Sequence, residues 1–360
     1  MKVHGRATRS VWPIGVSAIG VIDQTVLPHR FETRVLDSAA AVEHAIRSMV
    51  VRGAPLIGVT GAYGLALALR ADPSDSHLAA MQRTLFAARP TAVNLRWALD
   101  RVHAVVAGLQ PGERAAVAWA EAGRIADEDV ELNRAIGAHG AELLRSLHRR
   151  LGRPVNVLTH CNTGWLAAVD FGTALAAVYS AHDGGVPLQV WVDETRPRNQ
   201  GLLTAWELAA HGVPHRLIVD NAGGHLMQIG QVDLVLVGAD RVSARGDVAN
   251  KIGTYLKAVA AHDSGVPFYA AVPSPTIDWS LKDGNAIPIE ERGADEVLWV
   301  SGLDRSGQPS GVQLMPAGTL VANPAFDLTP ARLVTGIITE RGVASPARLA
   351  DLFPDRRRVA

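Results

Sequence analysis

The stretch VNVLTHCNTGWLA (155–167) couples an apolar run, Val155–Leu158, directly to a polar turn, Thr159-His160-Cys161-Asn162-Thr163-Gly164. The same unit recurs downstream. Leu188–Val192 runs into Asp193-Glu194-Thr195-Arg196-Pro197, and Leu217–Val219 into Asp220-Asn221-Ala222-Gly223-Gly224. Leu234–Val237 runs into Gly238-Ala239-Asp240-Arg241, and Phe268–Val272 into Pro273-Ser274-Pro275-Thr276. Val297–Val300 reads as a further run of this kind. The runs are mostly continuous rather than alternating, as parallel strands covered on both faces read. Helical stretches separate them, so the pattern predicts a doubly wound, Rossmann-like α/β unit with a parallel sheet. In such a sheet the strand carboxyl ends share one edge, and ligands bind in the crevice outside them. The polar turns therefore converge on one expected site.

Upstream the pattern is different. Ile19–Val26 and Phe31–Val35 flank a turn at Pro28-His29 and predict a hairpin. Asp37 and Ser38 read as an N-cap for a helix through Ala41, Ala45, Ile46 and Met49. Arg52-Gly53-Ala54-Pro55 interrupts it, and a glycine-rich apolar helix follows from Leu56 to Arg70. From Asp72 to Arg150 the chain is alanine-rich with helical periodicity, broken at Arg89-Pro90 and Gln110-Pro111-Gly112. The expectation is an α/β fold in two domains. Residues 1–150 form a smaller, mostly helical N-terminal domain with a short β element. Residues 151–360 form the Rossmann-like catalytic domain.

Composition narrows the function classes. The chain has 360 residues, 48% of them hydrophobic, and its 35 basic and 35 acidic residues cancel. That supports a real core and argues against a nucleic-acid surface. One cysteine, Cys161, rules out an internal disulfide and cysteine-rich zinc sites. The 13 histidines show no H-E-x-x-H or paired spacing, so no metal is expected. No G-x-G-x-x-G follows a strand and no P-loop is present, so no nucleotide cofactor is expected either. The N-terminus lacks the apolar core of a signal peptide. No stretch approaches about 18 uninterrupted apolar residues, so a cytoplasmic protein without a membrane span is expected.

Each candidate residue has two readings. Cys161 is core filler, or a thiol tuned by the helix that the turn opens. Asp240 caps the next turn, or is an acid whose pKa burial raises. Arg196 and Glu194 read best as a structural ion pair. Arg52-Gly53-Ala54 is a solvated helix start, or a phosphate cradle of backbone N–H groups and a guanidinium. Asn250-Lys251 is a surface helix start, or a ligand site; lysine occurs otherwise only at Lys2, Lys257 and Lys282.

Taken in order, the segments resemble the methylthioribose-1-phosphate isomerase family. It is related to the archaeal ribose-1,5-bisphosphate isomerases and the regulatory subunits of translation initiation factor 2B. The matching segments are VRGAPLIG (51–58), NLRWALDR (94–101), THCNTGWLA (159–167), DETRPRNQG (193–201) and LTAWEL (203–208). They continue with GADRV (238–242), GDVANKIGTYLKA (246–258), PFYAAVPSPTID (267–278), IPIEER (287–292) and NPAFDLTPARLVTGIITERG (323–342). After Gln200-Gly201 the chain reads Leu202-Leu203-Thr204-Ala205, one residue short of the family form and without its arginine.

The resemblance implies an aldose–ketose isomerase acting on a small sugar phosphate, without cofactor or metal, in a homodimer. The family's substrate is 5-methylthioribose 1-phosphate, of the methionine salvage route, with 5-deoxyribose 1-phosphate as a second candidate. The resemblance places catalytic roles on Cys161 and Asp240. It places substrate contacts on Arg52, Gly53, Ala54, Arg96, Gln200, Asn250 and Lys251. Ribose 1,5-bisphosphate isomerisation and a non-catalytic regulatory subunit are the alternatives.

Overall fold

A computed structural model describes residues 1–3 and 5–355. Seven strands form the central sheet: β1 (Val155–Thr159), β2 (Leu188–Asp193), β3 (His215–Ile218), β4 (Leu234–Val237), β5 (Phe268–Ala271), β6 (Gly336–Thr339) and β7 (Gly342–Ala344). Their order is β3-β2-β1-β4-β5-β6-β7. The first six strands run parallel, and β7 returns antiparallel to β6. This is the Rossmann order, and its direction of winding reverses between β1 and β4. The turns that carry Cys161 and Asp240 leave these two strands.

The continuous apolar runs account for the sheet. Every residue of β4 is buried, and Val155, Val157 and Leu158 of β1 are fully buried. Two expectations need correction. The third strand covers His215–Ile218 rather than Leu217–Val219. Val297–Val300 is not in the sheet: Asp295–Leu298 is one helical turn, and Trp299–Leu303 pairs with Pro309–Gln313 in a separate exposed hairpin. Trp299 and Leu303 of that hairpin are exposed. The place at the sheet is taken by β6, whose apolar core is only Ile337-Ile338.

Three antiparallel strands near the N-terminus, Val11–Ile14, Ala18–Ile22 and Thr33–Leu36, include the expected hairpin, with Ile19 opposite Leu36. Five helices follow: α1 (Ala39–Arg47), α2 (Ala54–Ala71), α3 (Asp75–Ala88), α4 (Val93–Val106) and α5 (Pro111–Leu151). Ser38 caps α1 by accepting the Ala41 N–H. Helix α2 has the length and apolarity of a membrane span, but 83% of it is buried, and it packs against α1, α3, α4 and α5.

The 41 residues of α5 serve two cores. Ala118, Ala122 and Ile125 pack with α2 and α4, whereas Ile136, Leu144 and Leu147 pack with β1, β2 and α6 (Ala174–Asp183). Gly140 allows the approach to α6: a Cβ there would lie 2.3 Å from Ala177 Cβ. Two further helices complete the frame of the site, α7 (Gln200–His211) and α8 (Ala222–Gln228), followed by α9 (Thr254–Asp263). A four-stranded sheet, ordered Ile277–Asp278, Arg241–Ser243, Val248–Lys251 and Phe326–Thr329, sits beyond β4. It carries Asp240 and Lys251 on a hairpin, with Arg241 opposite Ala249.

Asp129 of α5 is buried where the two cores meet and accepts the Val169 N–H at 2.8 Å. Burial outweighs that bond and pushes its carboxyl up to about 7. The folded chain therefore keeps a proton that the unfolded chain releases above pH ~4. Stability falls as pH rises across that window and stays low above about 7. Asp129→Asn keeps the acceptor and removes the charge. It should raise the melting temperature by a few degrees at pH 8 and by less at pH 5, measured by thermal denaturation.

Candidate active site

Cys161 follows β1 in a left-handed backbone conformation, φ +67°. Its N–H donates to Thr195 Oγ1 at 2.8 Å, and its carbonyl accepts from the Thr204 hydroxyl at 2.9 Å. Thr195, after β2, is also left-handed at φ +64°, an unusual conformation for a β-branched residue. Asp220, after β3, holds it there: its two carboxylate oxygens accept the N–H groups of Thr195 and Arg196, each at 2.8 Å. Three strand ends thus fix one thiol. The expected helix start is absent: a short 3-10 turn, Trp165–Ala167, follows, and α6 begins only at Ala174. The thiol is instead tuned by burial, which pushes its pKa up, and by Arg52 and Lys251, which pull it down. Arg196 does not pair with Glu194; its guanidinium donates to the Val297 and Pro197 carbonyls.

Asp240 lies at the end of the short Gly238-Ala239 link after β4, and its N–H donates to the Ala249 carbonyl at 2.9 Å. Burial pushes its carboxyl above the usual carboxylate range, against the pull of Lys251, Arg89 and Arg52. Asn250 and Lys251 are buried on the neighbouring strand rather than at a surface helix start. Asn250 Nδ2 donates to Thr254 Oγ1 at 2.9 Å, and the Lys251 ammonium lies 5.1 Å from the centre of the Phe326 ring. Burial lowers the Lys251 pKa, while Cys161 and Asp240 raise it.

Arg52-Gly53-Ala54 opens α2, as the sequence predicts. Gly53 has φ +97°, and a Cβ on it would lie 2.4 Å from the Ala167 carbonyl oxygen. Only glycine lets this helix start sit against the 3-10 turn after Cys161. Arg52 donates to Gln24 Oε1 at 3.1 Å and to the side-chain oxygen of Asn162, and its charge acts on the Cys161 thiol in the same cavity. Gln200, the first residue of α7, is buried, and its Oε1 has no hydrogen-bond partner among the described residues.

One cavity brings together Arg52, Gly53, Ala54, Cys161, Gln200, Asp240, Asn250 and Lys251. Arg96 stands apart. It is exposed on α4, pairs with Asp100 at 2.8 Å and lies over the Phe86 ring. The cation that this part of the chain does supply is Arg89, at the end of α3, and Arg292 supplies another. Glu290 lies between them, 3.0 Å from Arg292 Nε and 3.8 Å from Arg89. In the sequence Arg89 reads only as the residue before a helix-breaking proline, and Arg292 only as the end of IPIEER. Asn162, Met49 and Phe326 also line the cavity.

Four cations, Arg52, Arg89, Lys251 and Arg292, therefore face a space that also holds a thiol and a carboxyl. Fixed guanidinium donors suit a phosphate dianion, and the two raised groups suit proton transfer. His160, Asp193 and Asp220 lie close enough together to share a metal ion. That place already holds a cation: Lys257 Nζ is 2.8 Å from Asp193 Oδ2 and donates to the Asp220 carbonyl at 2.9 Å.

The chain is similar to known proteins over nearly its whole length. The sequence profile of the initiation factor 2 subunit family matches residues 50–346. The methylthioribose-1-phosphate isomerase of Methylobacterium nodulans is 61% identical, with 100% of each chain covered. That of Rhodospirillum rubrum is 58% identical, over 99% of this chain and 94% of its own. The crystal structure of 5-methylthioribose 1-phosphate isomerase from Pyrococcus horikoshii superposes with a TM-score of 0.83 at 40% identity, covering 99% of this chain and 97% of that one. The delta subunit of translation initiation factor eIF-2B from A. fulgidus gives a TM-score of 0.78 at 40% identity, over 96% and 99%.

The two arginines separate in a binding experiment with inorganic phosphate, followed by calorimetry. Arg89→Ala should weaken phosphate binding on the order of tenfold or more, as loss of a charge-assisted contact does. Arg96→Ala should leave it unchanged.

Proposed function

The chain belongs to the initiation factor 2 subunit family and, within it, to the methylthioribose-1-phosphate isomerases; on that premise we infer how its pocket works. It is an aldose–ketose isomerase that converts 5-methylthioribose 1-phosphate to 5-methylthioribulose 1-phosphate in methionine salvage. We propose that the work falls on Cys161 and Asp240. The observation that carries this assignment is that a thiol and a carboxyl, both raised by burial, share one cavity with four cations.

The substrate poses a particular problem. Its anomeric oxygen is esterified to phosphate, so the ring cannot open to a free aldehyde. The C1–O4 bond must break with the phosphate retained. Asp240, whose carboxyl burial pushes up, gives its proton to O4 as that bond breaks, and C1 becomes electron-poor. Arg52, Arg89, Lys251 and Arg292 hold the phosphate and fix the geometry, with the N–H groups at the start of α2 completing the cradle, and the Gln200 Oε1 accepts from a sugar hydroxyl.

Hydrogen then moves from C2 to C1. In one route Cys161, as thiolate, takes the C2 proton; the C–H electron pair forms the C1=C2 bond, and C1 is reprotonated. In the other route the C2 hydrogen shifts to C1 with its electron pair. Either way the C2 hydroxyl loses its proton to the Asp240 carboxylate, and the ketone forms. Arg52 and Lys251 favour the first route by pulling the thiol pKa down; burial favours the second.

We place the enzyme in the cytoplasm as a homodimer. Exposed apolar side chains at β3 and on α9, among them Leu217, Val219, Leu256 and Val259, support an interface there.

Cys161→Ser and Asp240→Asn should each lower kcat by at least about a hundredfold, within the range of general acid–base contributions. Melting temperature should stay within a few degrees. Turnover near wild type in either variant removes that residue's role. Isomerisation in deuterated water separates the routes: deuterium at product C1 marks proton transfer, and full retention of the substrate hydrogen marks the shift. Comparing kcat/KM for the methylthio, 5-deoxy and 5-phospho sugars fixes the specificity, and the methylthio compound should rank first.

A further inference from the structure

Glu207 of α7 is 1% exposed and lies outside the set of residues that face the cavity. Its carboxylate nevertheless organises the loop after β1. Oε1 accepts from Asn162 Nδ2 at 2.8 Å and from the Leu166 N–H at 3.1 Å. Oε2 accepts from the Trp165 N–H at 2.9 Å and from the Tyr179 hydroxyl at 2.9 Å. The space around it is closed: a Cβ on Gly164 would lie 1.7 Å from Oε2. Each oxygen of this buried group accepts a fixed backbone N–H, Leu166 at Oε1 and Trp165 at Oε2, so an NH2 in either position would meet a donor.

The bond to Asn162 has a directional consequence. The two ends of a side-chain amide are alike in shape and opposite in hydrogen-bonding character. A carboxylate on one side of Asn162 forces the NH2 end toward itself, and Thr204 Oγ1 takes the second hydrogen at 3.1 Å. The oxygen end is then left facing Arg52, which donates to it and whose charge acts on the Cys161 thiol in the same cavity. With the amide reversed, NH2 would meet guanidinium, donor against donor.

We propose that Glu207 is a positioning residue: by fixing the orientation of the Asn162 amide, it aims the Arg52 guanidinium at Cys161 and the phosphate. This rests on the isomerase reading for its kinetic consequence, but not for its effect on the thiol.

Two variants and two readouts test it. Glu207→Gln presents NH2 where an acceptor is required, and the combined change Asn162→Asp with Glu207→Gln restores complementarity between these two side chains alone, with an acceptor kept facing Arg52. The apparent pKa of the Cys161 thiol is read from its alkylation rate against pH, without substrate. Turnover is read as kcat/KM on 5-methylthioribose 1-phosphate. In Glu207→Gln the thiol pKa should rise by about one unit and kcat/KM should fall on the order of tenfold or more. The combined variant should recover part of both. Wild-type values in Glu207→Gln overturn the proposal. So does a combined variant no better than Glu207→Gln, folded or not, because Glu207 would then be only a prop for the loop. A wild-type enzyme that fails to isomerise the sugar defeats the isomerase reading alone, and the thiol measurement still decides this one.

Discussion

Removal of charge from water is the constraint on which the site depends. A buried carboxyl or thiol holds its proton more tightly, and a buried cation holds its own less tightly. In this cavity one cause acts on both kinds of group. Asp240 and Cys161 are pushed up while Arg52, Arg89 and Lys251 are pulled down. The result is a carboxyl and a thiol shifted toward their protonated forms, beside a set of cations shifted toward losing their protons. Buried charges left uncompensated are costly, so the arrangement suits the phosphate dianion proposed for it.

The fold supports that arrangement from several directions at once. β1 delivers the thiol and β4 the carboxyl, from either side of the point where the sheet reverses. β2 and β3 do not reach the cavity with their own catalytic groups. Their turns hold Thr195 and Asp220, which keep the Cys161 backbone in a conformation that it would not adopt alone. The helical half adds α2, whose start supplies Arg52 and free N–H groups, and α3, whose end supplies Arg89. An active site at a strand edge is ordinary for the Rossmann arrangement. The chain departs from that pattern in the hairpin after β4, which brings Lys251 back to face the carboxyl.

The sequence made much of this legible, and the failures have physical causes. Val155–Leu158 and Leu234–Val237 read correctly because burial on both faces leaves an unbroken apolar run. Val297–Val300 misled because a short apolar run is equally compatible with a helical turn and an exposed hairpin, and only the covering layers decide. β6 was missed because its strength lies in its neighbours, β5 and β7, rather than in its own residues. The Cys161 turn was expected to open a helix, but Trp165–Ala167 stops after one 3-10 turn and the thiol owes its character to cations distant in sequence. Arg96 and Arg89 show the limit most plainly. Both flank the same helical break, and nothing local distinguishes an arginine that turns toward the cavity from one that pairs with Asp100 on the surface. The segments that carried the resemblance include Arg52, Arg96 and Arg292 but not Arg89, which only the fold brings to the cavity.

Helix α5 has a consequence for the whole molecule. Its first half is part of the helical core and its second half part of the layer over β1 and β2, with no break between Pro111 and Leu151. At about 1.5 Å per residue it is a rod some 60 Å long. Neither core can melt without stripping partners from the same helix. The two halves of the chain are thereby bound into a single cooperative unit, and the pocket between them inherits the stability of the whole.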